Sequence, residues 1–299
     1  MTPEEVLSIK PKVLTQKQRE FYFENGYLLL EKLLSDEWVE RLRATTDEMV
    51  DRSRGITNSD AVWDLDTGHT AQFPRLRRLS SMNDHHPTYW EYASAKTSPL
   101  PDAVADLVGP DVKFHSSKLN YKWPGSGEIV KWHQDIAAWP HTNYSPVTLG
   151  VYLCDVPAER GPLTCIASSH RRSPIFEHRD NSGAWTGAIR GSDMATVDLA
   201  RAEDLTGPAG TVIAINCRTV HGSRANFTDL VRPVALFVYS SADAFAWMPA
   251  PTPTSRTGAI VRGTPARMAH LDPTPCPVPP DWSRDRYGSI FTAQRAEVD

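Results

Sequence analysis

The stretch Lys131-Trp-His-Gln-Asp135 decides how this chain folds, together with Gly210-Thr-Val-Ile-Ala-Ile-Asn216 and the Val220-His-Gly-Ser223 that follows it. In the first stretch His133 and Asp135 are separated by one residue, and a strand directs residues at that spacing to the same face. The second stretch predicts a buried strand that ends shortly before another histidine. The pattern therefore predicts neighbouring strands that bring two imidazoles and one carboxylate together.

Two imidazoles and one carboxylate are the ligand set of non-haem Fe(II) oxygenases, and they leave three coordination positions open. We interpret His133, Asp135 and His221 as this set, which makes them the metal ligands and the catalytic centre. Arg232 begins the next apolar run, and a guanidinium can pair in a fork with the carboxylate of an organic co-substrate. The four residues together indicate an oxygenase site.

Two other His-x-Asp pairs occur in the chain. His178 and Asp180 run directly into Asn-Ser-Gly, a loop signature that predicts a solvated turn. His270 and Asp272 lie in a proline-rich tail with no later histidine to complete a triad. A short motif without context is usually a surface turn or an ion pair. The apolar strands around His133 are what favour the metal interpretation there.

Composition and charge narrow the class of protein. A length of 299 residues suits one barrel-like β domain. The net charge of −4 provides no basic stripe, which argues against nucleic acid as a partner. No apolar run approaches membrane-spanning length, so we expect no membrane partner. The four cysteines form no Cys-x-x-Cys pair. We expect a cytoplasmic monomer or homodimer that acts on a small-molecule substrate.

Residues 1–100 predict helices followed by a cap loop. The capping box of Thr15 with Gln18 begins one helix, and Ser35 caps a second. Residues 57–81 lack any such period, and a long loop in a compact domain is usually functional. The large rings in that loop are candidate substrate-binding residues: Trp63 and Phe73.

The remainder of the chain predicts a β core and an extension within a single domain, 1–299. Residues 101–245 alternate short apolar segments with Gly and Pro turns, which is typical of a sandwich or barrel. The predicted strands are 113–122, 128–132, 147–155, 163–167, 210–216 and 234–239. The fold class is therefore mainly β with N-terminal helices, around a double-stranded β-helix (jelly roll, cupin-like) core. Residues 246–299 are rich in proline and are expected to wrap the outside in irregular form.

These motifs resemble those of the phytanoyl-CoA dioxygenase-like family of Fe(II)/2-oxoglutarate oxygenases. The resemblance rests on Glu24-Asn-Gly-Tyr27, Trp132-His-Gln-Asp135, Gly161-Pro-Leu163, Ser169-His170, His221-Gly-Ser223 and Arg232-Pro233. It implies that His133, Asp135 and His221 hold the iron and that Arg232 holds the distal carboxylate of 2-oxoglutarate. The chain departs from the family at Ile166-Ala-Ser-Ser-His170, which replaces a Pro-Gly-Ser-His turn and touches no ligand.

The resemblance also implies roles for residues outside the triad. Ser223 matches the position that hydrogen-bonds the same carboxylate, and Asn120 matches one that contacts 2-oxoglutarate in ectoine hydroxylases. Trp139 resembles a substrate-facing aromatic residue in those enzymes, and His141 lies in the same cluster. For Asn120 and Ser223 the alternative is ordinary strand or turn hydrogen bonding. For Trp139 the alternative is a place in the core.

The expected reaction uses Fe(II), 2-oxoglutarate and O₂ to hydroxylate an aliphatic C–H of a small organic molecule, with succinate and CO₂ as by-products. Asp135 favours hydroxylation over halogenation, and desaturation or ring closure stays open. A cupin-like metal dioxygenase or isomerase that does not use 2-oxoglutarate is one alternative. A catalytically silent jelly-roll binding protein is another.

The arginines of Pro74-Arg-Leu-Arg-Arg78 have two interpretations. They could bind an anionic substrate, or they could form structural ion pairs. A structural role is favoured, because most surface arginines make exposed pairs of small energetic value.

Overall fold

Two antiparallel sheets form the centre of the molecule, with helices packed on the outer face of the larger one. The computed structural model describes residues 1–285 and 287–295. The α-helices are α1 (Pro3–Ser8), α2 (Gln16–Asn25), α3 (Asp36–Arg52), α4 (Pro87–Ser94), α5 (Leu100–Val108), α6 (Ser169–Arg172), α7 (Gly191–Met194) and α8 (Ile290–Arg295). The strands are β1 (Tyr27–Leu30), β2 (Trp63–Leu65), β3 (Leu76–Ser80), β4 (Val112–Lys122), β5 (Val130–His133), β6 (Val147–Tyr152), β7 (Leu163–Ile166), β8 (Ala202–Leu205), β9 (Val212–Asn216), β10 (His221–Ser223), β11 (Arg232–Ser241) and β12 (Ile260–Arg262).

Helices α2 and α3 begin where the sequence predicts. The hydroxyl of Thr15 accepts the backbone N–H of Gln18 and completes a capping box. Gly26 ends α2 in the left-handed conformation with φ of 80°, which glycine adopts without steric cost. Ser35 caps α3. These local signals need no tertiary contact, which is why the sequence alone reveals them.

The larger sheet has the order β1-β9-β6-β11-β4-β3-β2, and β12 also pairs with β4. Strand β11 shows how this sheet separates two environments. Ala235 and Phe237 point outward into the core shared with the helices. Val234 and Leu236 point inward, where they pack against residues of the smaller sheet such as Leu163. The alternation follows from the strand period of two.

The smaller sheet has the order β5-β10-β7-β8 and closes the jelly roll from the other side. Its strand β10 begins at His221 itself, which the sequence did not predict to be in a strand. There His221 pairs with His133 of β5 on one side and with Cys165 of β7 on the other. The predicted mainly β jelly roll is confirmed, with shifted strand ends.

Two regions predicted to be irregular contain strands. Residues 57–81 include β2 and β3, which extend the larger sheet beside β4. Within the C-terminal extension, β12 pairs with β4, and Gln294 of α8 accepts the backbone N–H of Lys131. These strands are short and gain their stability from the edge that they join, so the local sequence carries little signal. Among the described residues, no helix is both long and apolar enough to cross a bilayer.

Asp106 on α5 joins the N-terminal segment to the helical layer. Its buried carboxylate accepts the backbone N–H groups of Lys12, Val13 and Leu14, each at 2.8 Å. We expect Asp106→Ala to lower the free energy of unfolding by about 3 kcal/mol, because three charge-assisted hydrogen bonds are lost. Asp51→Ala, which removes only an exposed pair, should change it by less than about 0.5 kcal/mol. Equal urea midpoints for the two variants would contradict the assignment.

Candidate functional site

Three potential metal ligands meet between β5 and β10. The ligand atoms of His133, Asp135 and His221 all lie within 4.8 Å of one another, and the three residues are buried. The Nε2 atom of His133 is 3.9 Å from Asp135 Oδ1, and that of His221 is 4.0 Å from Asp135 Oδ2. The structure therefore brings together the three residues that the sequence singles out.

The backbone fixes which nitrogen of each histidine faces the site. The Nδ1 of His133 is 2.9 Å from the carbonyl of Lys131, and the Nδ1 of His221 is 2.9 Å from the carbonyl of Thr219. A carbonyl only accepts, so each Nδ1 carries the proton and donates it. Each Nε2 is then a lone-pair donor directed at the centre of the triad, which is the form that binds a metal.

The carboxylate of Asp135 is held in position and kept ionised. Thr148 Oγ1 donates a hydrogen bond of 2.6 Å to its Oδ2. Burial alone would raise the pKa of Asp135, but His221, Lys118 and His133 together with the Thr148 hydrogen bond lower it to about 2. Burial beside His221 also holds the pKa of His133 well below its usual range. Neutral imidazole and ionised carboxylate are the protonation states that a divalent cation requires, so the residues fit Fe(II).

The link between His133 and Asp135 differs from the predicted strand. Strand β5 ends at His133, and Asp135 begins a 3₁₀ turn through Ala137. The buried Gln134 holds this turn, because its side-chain amide donates to the carbonyls of Pro174 and Arg218. The two ligands therefore share one side because Gln134 anchors the backbone, and strand periodicity is not the cause.

His178 is not the solvated turn residue that the sequence suggests. It is buried, its Nδ1 donates to the carbonyl of Phe176, and its Nε2 accepts the backbone N–H of Gln134. Burial lowers its pKa to about 4, which keeps the ring neutral. With both nitrogens engaged, His178 supports the Gln134 turn and is not available to a metal. Its partner in the motif, Asp180, does lie in an exposed turn.

A first cavity extends from the triad to Arg232. Arg232 is buried, and its Nε donates to the carbonyl of Gly161 at 3.1 Å. Among the residues that the structure describes, no acceptor lies within hydrogen-bond distance of its two Nη atoms. Burial lowers the pKa of this guanidinium from its ordinary value, and Tyr152 and Cys154 act in the opposite direction. The fork of Arg232 is thus directed into a cavity that also contains the ligand triad.

Two further predicted residues line the first cavity, Ser223 and Asn120. Ser223 ends β10, two residues beyond His221. The Oδ1 atom of Asn120 is buried without a hydrogen-bond partner. An orphaned buried amide oxygen normally indicates a bound water or ligand. Apolar side chains such as Leu163 and Val234 form the walls.

A second cavity lies on the other side of the triad and shares His133 and Asp135 with the first. Trp139 lines it and is almost completely buried, with its ring 5.2 Å from that of His115. Trp185 and Tyr287 also line it, so the C-terminal extension contributes to the site and does not merely wrap the outside.

The remaining substrate-binding candidates do not line either cavity. His141 is buried beneath Trp139, and its Nδ1 donates to the carbonyl of Trp139 at 2.7 Å. Trp63 lies in β2 with its ring against His85, and Phe73 is 75% exposed. His141 can position Trp139 from behind. For Trp63 and Phe73 the structure shows no contact with the triad.

Polar residues of β4 were mostly missed by the sequence interpretation. Side chains at every second position of this strand line the two cavities: Ser116, Lys118, Asn120 and Lys122. Between them, Leu119 and Tyr121 pack outward into the helical core. A strand buried on both faces can place a polar row only in an enclosed polar space. That alternation is a signal from which Lys118 could have been found.

The arginines near β3 divide into two groups. Arg77 is buried in an ion pair with Asp64, and Arg75 lies 4.0 Å from Asp66, so both have the structural role that the sequence favours. Arg78 differs from them. It lines the second cavity, and its Nε and Nη1 atoms are buried without a hydrogen-bond partner.

A family model and two curated relatives assign the chain to the same family. The family model for phytanoyl-CoA dioxygenase (PhyH) matches residues 22–234, which is more than half of the chain. A probable alpha-ketoglutarate-dependent hypophosphite dioxygenase of Stutzerimonas stutzeri is 29% identical over 289 residues, 95% of this chain and 98% of the relative. An ectoine dioxygenase of Bordetella parapertussis is 27% identical over 251 residues, 77% of this chain and 76% of the relative.

Solved structures agree with the jelly-roll fold. EctD from S. alaskensis, solved with 2-oxoglutarate and 5-hydroxyectoine, has a TM-score of 0.65 and 22% identity. The similarity covers 92% of this chain and 94% of that one. At this identity the likeness concerns the fold, which includes the helical layer and the sheets that carry the triad.

The Thr148 hydrogen bond provides a test of the metal centre. Thr148→Val keeps the shape of the side chain but removes the donor to Asp135. We expect the affinity for Fe(II), measured by anaerobic titration, to fall by about 10- to 100-fold, the usual effect of losing a group that orients a ligand. Thr164→Val is the matched control, because Thr164 is also buried but donates to Asp204, which is not one of the three ligands. Unchanged affinity in Thr148→Val would remove this residue from the site.

Proposed function

Since the chain belongs to the phytanoyl-CoA dioxygenase family and is an iron(II)- and 2-oxoglutarate-dependent oxygenase, we propose that it hydroxylates an aliphatic carbon of a small molecule. The observation that carries the proposal is the position of the triad between two cavities. His133 and Asp135 line both of them, whereas Arg232 lines only the first. One cavity suits a dicarboxylic co-substrate, and the other leaves room for the molecule that is oxidised.

The net reaction converts substrate, 2-oxoglutarate and O₂ into hydroxylated product, succinate and CO₂. When bound, Fe(II) supplies the redox chemistry that couples the oxidative decarboxylation to insertion of one oxygen atom into the substrate. One oxygen atom of O₂ enters succinate and the other enters the product, so the electrons balance without another reductant. The task of the protein is to hold both organic molecules against one metal position and to exclude water.

The polar and the apolar residues that line the first cavity have different roles in binding 2-oxoglutarate. Arg232 offers its two free Nη atoms to the distal carboxylate, and Ser223 lies at the same end of the sheet pair. Asn120 supplies an amide beside them. Leu163 and Val234 cover the carbon chain of the co-substrate and keep water away from it. The low dielectric of this cavity strengthens the pairing of the guanidinium with the carboxylate.

A second candidate reaction is oxidation of a P–H bond in a phosphorus oxyanion. The relative from Stutzerimonas stutzeri that spans almost the whole chain is named a probable hypophosphite dioxygenase. The observation that favours this candidate is the presence of Arg78 and Lys118 in the second cavity. The same metal centre would serve either reaction, since a strong X–H bond is broken in both.

The proposal also covers the domain organisation, the cellular location and the oligomeric state of the enzyme. The N-terminal helices and the C-terminal extension both pack on the sheets, so we treat residues 1–299 as one catalytic domain. The four cysteines form no disulfide, which suits a reducing compartment, and we place the enzyme in the cytoplasm. We propose that it acts there as a monomer or homodimer. In a cupin-like enzyme that does not use 2-oxoglutarate, the two Nη atoms of Arg232 would have no carboxylate to bind.

Arg232 gives the sharpest test of the co-substrate. Arg232→Ala should raise the Michaelis constant for 2-oxoglutarate at least about tenfold, because a desolvated carboxylate loses both bonds of its fork. Arg232→Lys should restore part of the affinity, since a point charge cannot make both bonds. Succinate formation at varied 2-oxoglutarate concentrations measures the effect. His221→Ala serves as the inactive reference. Normal 2-oxoglutarate binding in Arg232→Ala would mean that the co-substrate is held elsewhere or is not used.

Trp139 tests the second cavity. With a substrate that turns over, Trp139→Ala should slow hydroxylation by roughly a hundredfold, the effect of misplacing a reacting group by about 1 Å. Succinate formation should fall less, because Trp139 lines only the second cavity. The ratio of succinate to product would then rise above that of the wild type. Trp247→Ala, which alters an exposed ring outside both cavities, should leave the ratio unchanged. A ratio unaffected by Trp139→Ala would identify Trp139 as a core residue.

A further inference from the structure

We propose that the second cavity is an oxyanion-binding site in which Arg78 and Lys118 hold an anionic group of the substrate. The inference rests on the proposed function, because it assigns the substrate class of the same metal centre. The group would be a compact oxyanion such as a carboxylate, a phosphonate or a small phosphorus oxyanion. Its binding would leave an adjacent C–H or P–H bond directed toward the triad.

Arg78 carries most of the argument. Its side chain is 1% exposed, and its Nε and Nη1 atoms have no hydrogen-bond partner. A guanidinium is always ionised in proteins, and a buried ion without a partner is strongly disfavoured. Its guanidinium lies over the ring of Tyr287, whose centroid is 5.5 Å from the guanidinium carbon. A ring face leaves the in-plane N–H donors free for an anion in the cavity.

The neighbouring Arg77 shows what a structural arginine looks like in the same strand. Its Nε donates to Asp64 Oδ2 at 3.0 Å, and its Nη1 reaches Glu128 Oε1 at 3.4 Å. Arg77 therefore has two acidic partners within the protein. Among the described residues Arg78 has none, although Asn120 lies directly opposite in β4. The difference between adjacent residues indicates that the partner of Arg78 comes from outside the chain.

Lys118 places a second cation in the same cavity. No hydrogen bond or ion pair of its ammonium is recorded among the described residues, and it lines both cavities beside the triad. Burial is the main cause that lowers its pKa to about 8, with Asp135 acting in the opposite direction and Arg78 adding to the decrease. Lys118 and Arg78 therefore interact as like charges. A shared anion would turn this repulsion into two attractive pairs.

No lining group cancels this positive charge. Among the described residues that line the second cavity, Asp135 is the one acidic side chain, and it is committed to the metal. His178 is neutral because both of its nitrogens are engaged by the backbone. The bound metal would add positive charge to the same space. The cavity thus favours an anion over a neutral or cationic substrate.

Aromatic side chains limit the size of the anion. Trp185 and Tyr287 line the cavity, and Trp282 connects them with ring centroids 5.6 and 5.2 Å away. The indole N–H of Trp282 donates to the carbonyl of Ala138 at 2.7 Å, which fixes this wall against the turn after Asp135. A compact oxyanion fits between this wall and the two cations.

Anaerobic calorimetry on the Fe(II)-loaded enzyme with saturating 2-oxoglutarate tests the proposal without turnover. The probes are hypophosphite, methylphosphonate, acetate and the uncharged trimethylphosphine oxide. At least one of the three anions should bind, and the uncharged probe should bind at least about tenfold more weakly, since it lacks the charge that pairs with a guanidinium. The phosphorus anions and acetate distinguish a phosphorus oxyanion site from a carboxylate site. Saturating 2-oxoglutarate prevents the probes from occupying the Arg232 cavity.

Variants assign the binding to the two cations. Arg78→Gln and Lys118→Met should each weaken the bound anion at least about tenfold, the effect of losing a charge-assisted hydrogen bond. Arg78→Lys should recover part of the affinity. Arg75→Gln and Lys113→Met are the matched controls, because they make the same changes near β3 and in β4 but outside the second cavity. The affinity of Arg78→Gln for 2-oxoglutarate, expected to stay within about twofold, shows that this variant is folded.

The outcomes separate this inference from the proposed function. If 2-oxoglutarate binds but none of the three anions does, the oxyanion site is wrong and the oxygenase assignment stands. Equal binding of the uncharged probe, or full affinity in Arg78→Gln, also overturns it. If an anion binds in an Arg78-dependent manner while succinate is never formed from 2-oxoglutarate, the site is correct and the proposed reaction is wrong.

Discussion

The pairing of His133 with His221 across β5 and β10 is the contact on which the rest of the site depends. It sets the two imidazoles beside each other, and the carbonyls two residues before each ring determine which nitrogen faces the metal. Asp135 completes the set because Gln134 anchors the turn that carries it. The metal site is therefore a property of backbone geometry, and its side chains need little further support beyond Thr148.

The triad also divides the interior into two spaces with different chemistry. Both spaces lie between the facing sheets, and β4 runs along both of them. Arg232 and Lys122 give the first space a positive end, which suits a dicarboxylate. Arg78 and Lys118 give the second space its own positive charge. Lys118 lines both spaces, but Arg232 and Arg78 lie in different ones, so one metal can serve two anions that would otherwise compete for the same arginine.

The site leaves several polar groups unpaired at an energetic cost. Among the described residues, Arg78 and the amide oxygen of Asn120 have buried polar atoms without a partner, and Arg232 has one hydrogen bond, from its Nε to Gly161. Two buried charged groups of the scaffold are paired, as the Asp64–Arg77 ion pair and the three hydrogen bonds to Asp106 show. Ligands that satisfy the unpaired groups should therefore stabilise the folded enzyme as they bind.

The sequence by itself singled out the three residues of the triad, the jelly-roll class and two capped helices, because each depends on local pattern or on a fixed chemical requirement of the metal. It did not determine strands β2, β3 and β12, which are short and form only against the edge of another strand. It could not show that Asp135 leaves the strand, that Phe73 is exposed, or that the C-terminal segment closes the second cavity. The sequence also could not distinguish the role of Arg77 from that of Arg78, since the two arginines are adjacent in the same predicted loop. Only the tertiary structure brings Asp64 to one of them and leaves the other facing an open cavity, because burial and pairing are decided by contacts between residues distant in the chain.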